Sequence, residues 1–330
     1  MKTACIRPLA IILALLVLIG SVAGCRAGDD VVIPEYVPVV EEEEPVVEAA
    51  NYTYIDTSGW DESFVGGLLE FHLYLFCGEY LIRERAAQVT SLSFRSSGNI
   101  ESLEGIQYFA ALGWLIVLDN RLTSLDLSNN PELIWLDVSS NNLTALDVSN
   151  NPALQSLLVG SNNLNAIDVS SNPELIQLNV SFNNLTAIDV SNNPALEFLD
   201  AKHNNLTSLD VSNNPVLEFL DAKHNNLTSL DVSNNPVLEV LMIRGNSLTS
   251  FNVSNNSALR HLTVSENNLT SLDLSNNPEL RELDAKYNYI SHPDDVIGWQ
   301  ELELNLRPED SDEHRWYSFI FWPQRTPTNN

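Results

Sequence analysis

Residues 133–143 read Leu-Ile-Trp-Leu-Asp-Val-Ser-Ser-Asn-Asn-Leu, and the same LxxLxLxxNxL spacing returns every 21 residues along the chain. Apolar residues fill the first, fourth, sixth and eleventh places of this motif, and an asparagine holds the ninth. A period of this length is typical of a solenoid, because one short coil cannot bury its apolar face alone and must stack on its neighbours.

The ninth-place asparagine has a structural reason. The chain turns inward after each predicted strand, and the buried backbone N–H and C=O groups there need a side chain that carries both donors and an acceptor. We call this set the strand-end asparagine ladder. Its members are Asn120, Asn141, Asn162, Asn183, Asn204, Asn225, Asn246, Asn267 and Asn288.

Each 21-residue unit contains two apolar stretches joined by turns. In 154–159 the first, fourth and sixth residues are predicted to point inward from a strand, and 164–169 repeats this spacing on the opposite side of the coil. A Ser-Asn-Asn-Pro turn then starts the next coil, since Asn tolerates tight turns and Pro fixes φ. For 89–290 we predict about ten stacked strands, which form a ladder about 45 Å long at ~4.8 Å per strand.

This repeat resembles the 21-residue leucine-rich repeats of bacterial surface proteins of the internalin type. The resemblance implies a leucine-rich-repeat solenoid over 89–290, with a parallel sheet on the concave face and short extended or turn segments on the convex side. Caps are expected at 51–88 and 291–330, because the end coils would otherwise expose their leucines. Some relatives carry cysteine at the sixth place of the strand half, whereas this chain has Val, Ala or Ile there, so no cysteine ladder is expected.

The first 50 residues are predicted to lie outside the fold. Residues 1–24 have a charged start and an apolar run too short to span a bilayer well, and they end just before Cys25 in a VAGC sequence. They resemble a bacterial lipoprotein signal, which implies cleavage before Cys25, lipid on its thiol and an extracytoplasmic, membrane-anchored protein at the cell surface. A plain secretory signal is the alternative. Residues 25–50, with many Glu and several Pro, are predicted to form an extended tether of up to about 80 Å.

The cysteines predict a mature chain without an intramolecular disulfide. The chain has three: Cys5 leaves with the signal and Cys25 carries lipid, which leaves Cys77 alone. Because Cys77 follows Leu75 and Phe76, we predict that it is a buried apolar residue.

Composition and motifs exclude several functions. The chain has 16 basic and 44 acidic residues, a formal net charge of −28, which repels nucleic acid. It has no phosphate-binding loop, metalloprotease motif or Ser-His-Asp arrangement, so we predict no enzyme, no cofactor and no metal site. We also predict a monomer.

An aspartate column on the second half of the coil is predicted to accept hydrogen bonds from the Ser and Asn of each turn. Binding of calcium along this column is the alternative. The column contains Asp126, Asp147, Asp168, Asp189, Asp210, Asp231 and Asp273, with Asn252 in the series.

The third and fifth places of the strand half point outward and are predicted to form a ligand-binding concave face. Apolar clusters that include Trp usually mark interaction sites. We therefore predict a cell-surface lipoprotein that binds a protein ligand, in adhesion or in envelope interactions. The alternatives are glycan binding and a structural spacer without a ligand. The predicted ligand-binding residues are Trp114, Ile116, Trp135, Asp137, Leu158, Phe198, Asp200, Phe219, Asp221, Lys202 and Lys223.

Overall fold

The structure, a computed structural model, describes residues 52–95, 99–302, 304–306, 318–322 and 324–325. The predicted signal, tether and lipid-bearing Cys25 lie outside these residues.

The described chain begins with a small mixed unit ahead of the repeats. It contains two α-helices, α1 (Glu62–Phe71) and α2 (Arg83–Ala86), and a 3-10 turn at Leu73–Leu75. Three short strands pair antiparallel, with the third strand between the first two. They are β1 (Tyr54–Asp56), β2 (Phe76–Cys77) and β3 (Tyr80–Ile82).

Asp61 joins this unit to the solenoid. One of its carboxylate oxygens accepts hydrogen bonds from the backbone N of Ser63 and Phe64, at 2.8 and 3.0 Å, and so caps α1. The other oxygen accepts from the backbone N of Glu101 at 2.7 Å. The Asp61 side chain therefore caps the start of α1 and ties the helix to the first coil at Glu101. The helix also buries Phe64 and Leu68.

Cys77 differs from the prediction in two respects. It is half-buried at the end of β2 rather than part of the core, and it is disulfide-bonded. The expectation of a chain without an intramolecular disulfide is therefore wrong for this structure. The other two cysteines, Cys5 and Cys25, lie outside the described residues.

The repeats form one parallel sheet, as predicted from the 21-residue period. Ten strands follow one another in chain order, and two further strands beyond the last repeat bring the sheet to twelve. The ten are β4 (Ser91–Ser93), β5 (Trp114–Ile116), β6 (Trp135–Asp137), β7 (Ser156–Leu158), β8 (Gln177–Asn179), β9 (Phe198–Asp200), β10 (Phe219–Asp221), β11 (Val240–Met242), β12 (His261–Thr263) and β14 (Glu282–Asp284).

The C-terminal end of the sheet is closed by added strands. Strand β17 (Ser318–Ile320) pairs with β14, and β16 (Asn305–Leu306) pairs with β17. On the other side of the coil, β13 (Leu272–Asp273) pairs with β15 (Val296–Ile297). Short 3-10 turns lie at Ile106–Tyr108, Pro293–Asp295 and Gln300–Leu302.

The core is a set of apolar columns. Leu136 lies in register with Leu115 on one side and Leu157 on the other, and all three are fully buried. Val148, on the second half of the coil, is also fully buried. Burying such a side chain contributes about 1.5–3 kcal/mol relative to leaving it exposed, so each coil stabilises the coils beside it.

The strand-end asparagine ladder joins neighbouring coils through their backbones. The Nδ2 of Asn183 donates to the carbonyl of Val180 in its own coil, at 3.1 Å, and to that of Val159 in the preceding coil, at 3.0 Å. Its Oδ1 accepts from the backbone N of Leu164 at 2.9 Å. The residue before each ladder asparagine has positive φ, 52° at Phe182, which is the conformation that turns the chain inward.

A second ladder was not foreseen from the sequence. The last asparagine of each turn that starts a new coil is fully buried, and we call this set the turn asparagine ladder. Most of these turns read Ser-Asn-Asn-Pro, but the turn at Asn172 reads Ser-Ser-Asn-Pro and the turn at Asn256 reads Ser-Asn-Asn-Ser. The Nδ2 of Asn193 donates to the carbonyls of Val169 at 3.0 Å and of Asn172, its counterpart one coil earlier, at 2.8 Å. The Oδ1 atoms of the set have no hydrogen-bond partner among the described residues. The set contains Asn130, Asn151, Asn172, Asn193, Asn214, Asn235, Asn256 and Asn277.

Within the described residues, no helix has the length and apolar character needed to cross a membrane.

Replacing Asn183 by Ala is expected to destabilise the protein by about 3 kcal/mol, because it leaves buried backbone groups of two coils without partners. The neighbouring Asn184 is exposed, so Asn184→Ala is the matched control, with an expected change within about 0.5 kcal/mol. Urea unfolding followed by circular dichroism measures both. Equal effects of the two substitutions would contradict the role assigned to the ladder.

Candidate ligand-binding face

The outward side chains of strands β5 to β14 form the concave face, and its most prominent feature is two stacked pairs of aromatic rings. Trp114 and Trp135 are neighbours in register on β5 and β6, and their ring centroids lie 5.2 Å apart with planes 11° from parallel. Phe198 and Phe219, on β9 and β10, stack at 4.3 Å and 8°. All four rings are half-buried, so part of each remains accessible.

Apolar and polar neighbours surround the Trp pair. Ile116, Asp137 and Leu158 occupy the outward fifth places of β5, β6 and β7, and each is half-buried. The carboxylate of Asp137 accepts a hydrogen bond from the backbone N of Ser139 at 3.0 Å, which fixes its direction. The structure thus brings these predicted residues together beside the Trp pair, although each is less exposed than the alternating pattern suggested.

The charged centre of the face differs from the prediction. Asp200 and Asp221 are only 4% and 2% exposed, so the structure buries two carboxylates that were expected to contact a ligand. The Nζ of Lys202 lies 2.7 Å from Asp200 Oδ2 and 3.7 Å from Asp221 Oδ2, and the Nζ of Lys223 lies 3.2 Å from Asp221 Oδ2. The two lysines fold back over the carboxylates and neutralise them.

Burial governs the protonation of this cluster. The pKa of Asp200 is raised by burial and, to a smaller degree, by the nearby charge of Asp221, while the bond to Lys202 opposes the shift. The pKa of Lys202 is raised because its contacts with the two carboxylates outweigh the effect of its own burial. The cluster therefore offers little free charge to a ligand.

Free negative charge lies one residue before each Phe. Glu197 and Glu218 are exposed and form no ion pair among the described residues, whereas Glu239 in the next coil lies 3.4 Å from Arg260. Burial and the repulsion of Glu197 and Glu239 raise the pKa of Glu218. The row is thus a patch of mutually repelling carboxylates beside the Phe pair.

A stack of rings beside the concave face was also missed by sequence reasoning. The ring centroids of Phe182 and His203 lie 4.3 Å apart, and those of His203 and His224 lie 4.4 Å apart. The His224 ring rests over Gly245, where an added Cβ would lie 2.6 Å from its Nδ1. The common 21-residue phase of these residues is visible in the sequence, but the stacking of their rings is not.

The C-terminal part of the face is ion-paired. Arg244 lies 2.6 Å from Glu266, and His261 lies 3.1 Å from Glu282. In the described part of the chain, no three His, Cys, Asp or Glu side chains are grouped closely enough to hold a metal ion.

Two coils of the centre are near-copies. Residues 194–214 and 215–235 differ only at Ala195 and Val216. Each stacked or ion-paired group on β9 therefore meets its own duplicate on β10.

The aspartate column on the opposite side of the coil caps turns. The backbone N of Ser191 donates to Asp189 Oδ1 at 2.9 Å, and equivalent bonds recur along the column. Asn252 accepts the same bond from Ser254 at 2.9 Å. Hydrogen bonds from the Ser191 hydroxyl and N–H hold the pKa of Asp189 below its ordinary value of 3.8.

The fold of this chain is similar to the folds of solved leucine-rich-repeat proteins. The functional domain of InlJ from Listeria monocytogenes, described as including a cysteine ladder, is 35% identical over 73% of this chain, with a TM-score of 0.69. The chain is an internalin-like leucine-rich-repeat protein. It spans 54% of that InlJ chain, about half of its length. The internalin InlF from the same species is similar in fold, at 21% identity and a TM-score of 0.61, over 74% of this chain and 81% of that one.

This leucine-rich-repeat protein is also similar to one chain of the LRIM1/APL1C complex. The identity is 31%, the TM-score is 0.54, and the match covers 61% of this chain and 40% of that one. No protein-family model matches the chain, and comparison with curated proteins finds no relative.

The aspartate column predicts a loss of stability in acid. A carboxyl whose pKa is lower in the folded state stabilises the fold above its unfolded pKa, here 3.8, and this contribution disappears as the pH falls through the folded pKa. Changing Asp168, Asp189 and Asp210 to Asn keeps a hydrogen-bond acceptor in each turn, as Asn252 does naturally, but removes the carboxyl group that titrates.

We expect the triple variant to lose less stability than the wild type between about pH 5 and pH 2. Urea unfolding midpoints across this range measure the effect. A control variant with the exposed residues Glu132, Glu174 and Glu279 changed to Gln is expected to follow the wild type. Identical pH profiles for the triple variant and the wild type would show that the column does not carry the acid sensitivity.

Proposed function

We propose that this chain is a binding protein whose concave face receives a protein ligand. The observation that carries the proposal is the pair of accessible aromatic stacks, Trp114 with Trp135 and Phe198 with Phe219, on one face of a rigid sheet. Aromatic side chains at the centre of an interface commonly supply most of its binding energy. A sheet paired in register holds these anchors at fixed separations, which reduces the ordering cost of binding.

The orientation of the rings favours a protein over a glycan. The two rings of each pair stack on each other, so one face of each ring is already occupied by its partner. Stacking of a sugar needs a ring face, whereas an apolar side chain packs well against ring edges. Glycan binding is therefore the second candidate.

A spacer without a ligand accounts less well for the charge pattern. The lysines beside the Phe pair are engaged by Asp200 and Asp221, while the exposed Glu197 and Glu218 repel each other. Repulsion that costs stability and does not stabilise another part of the fold is expected at a functional surface. The LRIM1/APL1C structure is itself a complex of two proteins, which supports a binding role for a related fold. We therefore propose binding rather than catalysis.

The test is a binding screen of the full-length chain, purified in detergent, against surface proteins and glycans, repeated with Trp114, Trp135, Phe198 and Phe219 changed to Ala. We expect a protein ligand whose affinity falls by at least about 2 kcal/mol in the variant. The control carries Ala at Val216, Val237 and Tyr287, which are exposed apolar residues outside the strands, and is expected to bind normally. A protein ligand that binds the fourfold variant unchanged would disprove the assignment of the face.

For location, we propose a protein attached to the outside of a bacterial membrane through lipid on Cys25, with a role in adhesion or in contacts within the envelope. The proposal rests on the VAGC sequence that ends at Cys25 and on the acidic segment that follows. The Cys25 sulfur can carry either lipid or a disulfide, so lipidation and a Cys25–Cys77 disulfide exclude each other in the mature chain.

Metabolic labelling with a palmitate analogue in a bacterial host tests the anchor. We expect the wild type and Cys77→Ser to incorporate the label and Cys25→Ser not to incorporate it. Label in Cys25→Ser, or a mature protein in which mass spectrometry finds Cys25 joined to Cys77, would refute lipidation at this residue.

A further inference from the structure

We propose that the ligand segment on the concave face is an extended peptide stretch of the partner protein, lying along the solenoid axis across the strands. It places two apolar side chains six residues apart on the two aromatic pairs, and a basic residue beside the one that meets the Phe pair. This inference rests on the proposed function and names the form of its ligand.

The separation of the aromatic pairs sets the spacing. The middle of the Trp pair lies between β5 and β6, the middle of the Phe pair lies between β9 and β10, and the strands between them are paired without interruption. Four strand steps of ~4.8 Å give about 19 Å. Six residues of an extended chain, at ~3.3 Å each, span about 20 Å, and because side chains alternate, residues six apart point to the same side.

The third-place row between the pairs is low and polar. The third places of β7 and β8 hold Ser156, which is 3% exposed, and the half-buried Gln177. The Ser156 hydroxyl donates to Gln177 Oε1 at 3.2 Å, and Asn179 lies at the fifth place of β8. No aromatic ring rises from this strip, so a peptide backbone anchored at both ends can cross it within reach of amide groups that satisfy peptide N–H and C=O groups.

Charge gives the segment a direction. The exposed Glu197 and Glu218 stand beside the Phe pair, and no cation neutralises them within the described residues. At the equivalent place beside the Trp pair the chain has the uncharged residues Gly113 and Ile134. A Lys or Arg next to the second anchor would relieve the repulsion between the two glutamates, whereas the same residue next to the first anchor would meet no such patch.

The probe is a phage-displayed library of random linear dodecapeptides, selected against the full-length chain. We expect enriched peptides with bulky apolar residues at positions i and i+6, and Lys or Arg within two residues of one of them. Synthetic peptides that keep an enriched sequence but place the anchors four, six or eight residues apart then test the spacing by calorimetry. The six-residue spacing is expected to bind at least about tenfold tighter, which corresponds to 1.4 kcal/mol.

Two variants separate the anchors from the charge. Trp135→Ala with Phe219→Ala is expected to abolish binding of the selected peptides. Glu197→Gln with Glu218→Gln is expected to retain peptides with the apolar pair but to lose the preference for the basic residue. Because Glu197 and Glu218 are exposed, this second variant keeps the fold, which circular dichroism checks.

Each of the other outcomes contradicts a specific part of the proposal. If no linear peptide is enriched while a folded protein still binds the wild type and fails to bind the fourfold Ala variant, the extended segment is wrong and the proposed function stands. Enriched peptides without the six-residue spacing, or with no preference for a basic residue, also refute the inference. If a glycan binds the aromatic pairs in place of any protein or peptide, both the inference and the proposed function fail.

Discussion

The hydrogen bonds of the strand-end asparagines are the interaction on which the rest of the structure depends. Each asparagine donates to a carbonyl of its own coil and to a carbonyl of the preceding coil, and it accepts from a backbone N–H of that preceding coil. The backbone of every coil is thus anchored to the coil before it. The leucine columns supply most of the burial, but apolar contacts are not directional and would tolerate a slip between coils. Because the hydrogen bonds of the asparagine side chains fix one register between coils, the outward side chains form straight rows.

Straight rows explain why the face can carry both rings and charges. In-register pairing places Phe198 beside Phe219 and Asp200 beside Asp221 without any dedicated packing. Like groups in a row either stack favourably, as the rings do, or repel, as the carboxylates do. Lys202 and Lys223 resolve the repulsion in the fifth-place row, while the Glu197 row is left unresolved and so becomes the natural place for a partner's cation.

Much of the fold follows from the sequence because one period sets both the inward and the outward places. The strands, the buried leucines and the Asn183 type of bond were predictable, since each depends on a short motif and its nearest copy. The burial of Asp200 was not, because alternation assigns it outward and the motif does not reveal that Lys202 folds back over it. The turn asparagine ladder was missed because Asn before Pro is also an ordinary turn residue, and the disulfide of Cys77 depends on chain outside the repeats.

The near-identity of coils 194–214 and 215–235 has a consequence for how such a face changes over time. Copying or deleting one of these units would add or remove a complete set of ring, carboxylate, lysine and histidine in a single event. The Trp pair and the strip beside it would keep their positions, because the change occurs beyond them along the axis. The length of the central cluster along the axis is therefore set by the number of copies of this coil. A change in that number alters the length of the contact surface without first passing through an unstable intermediate.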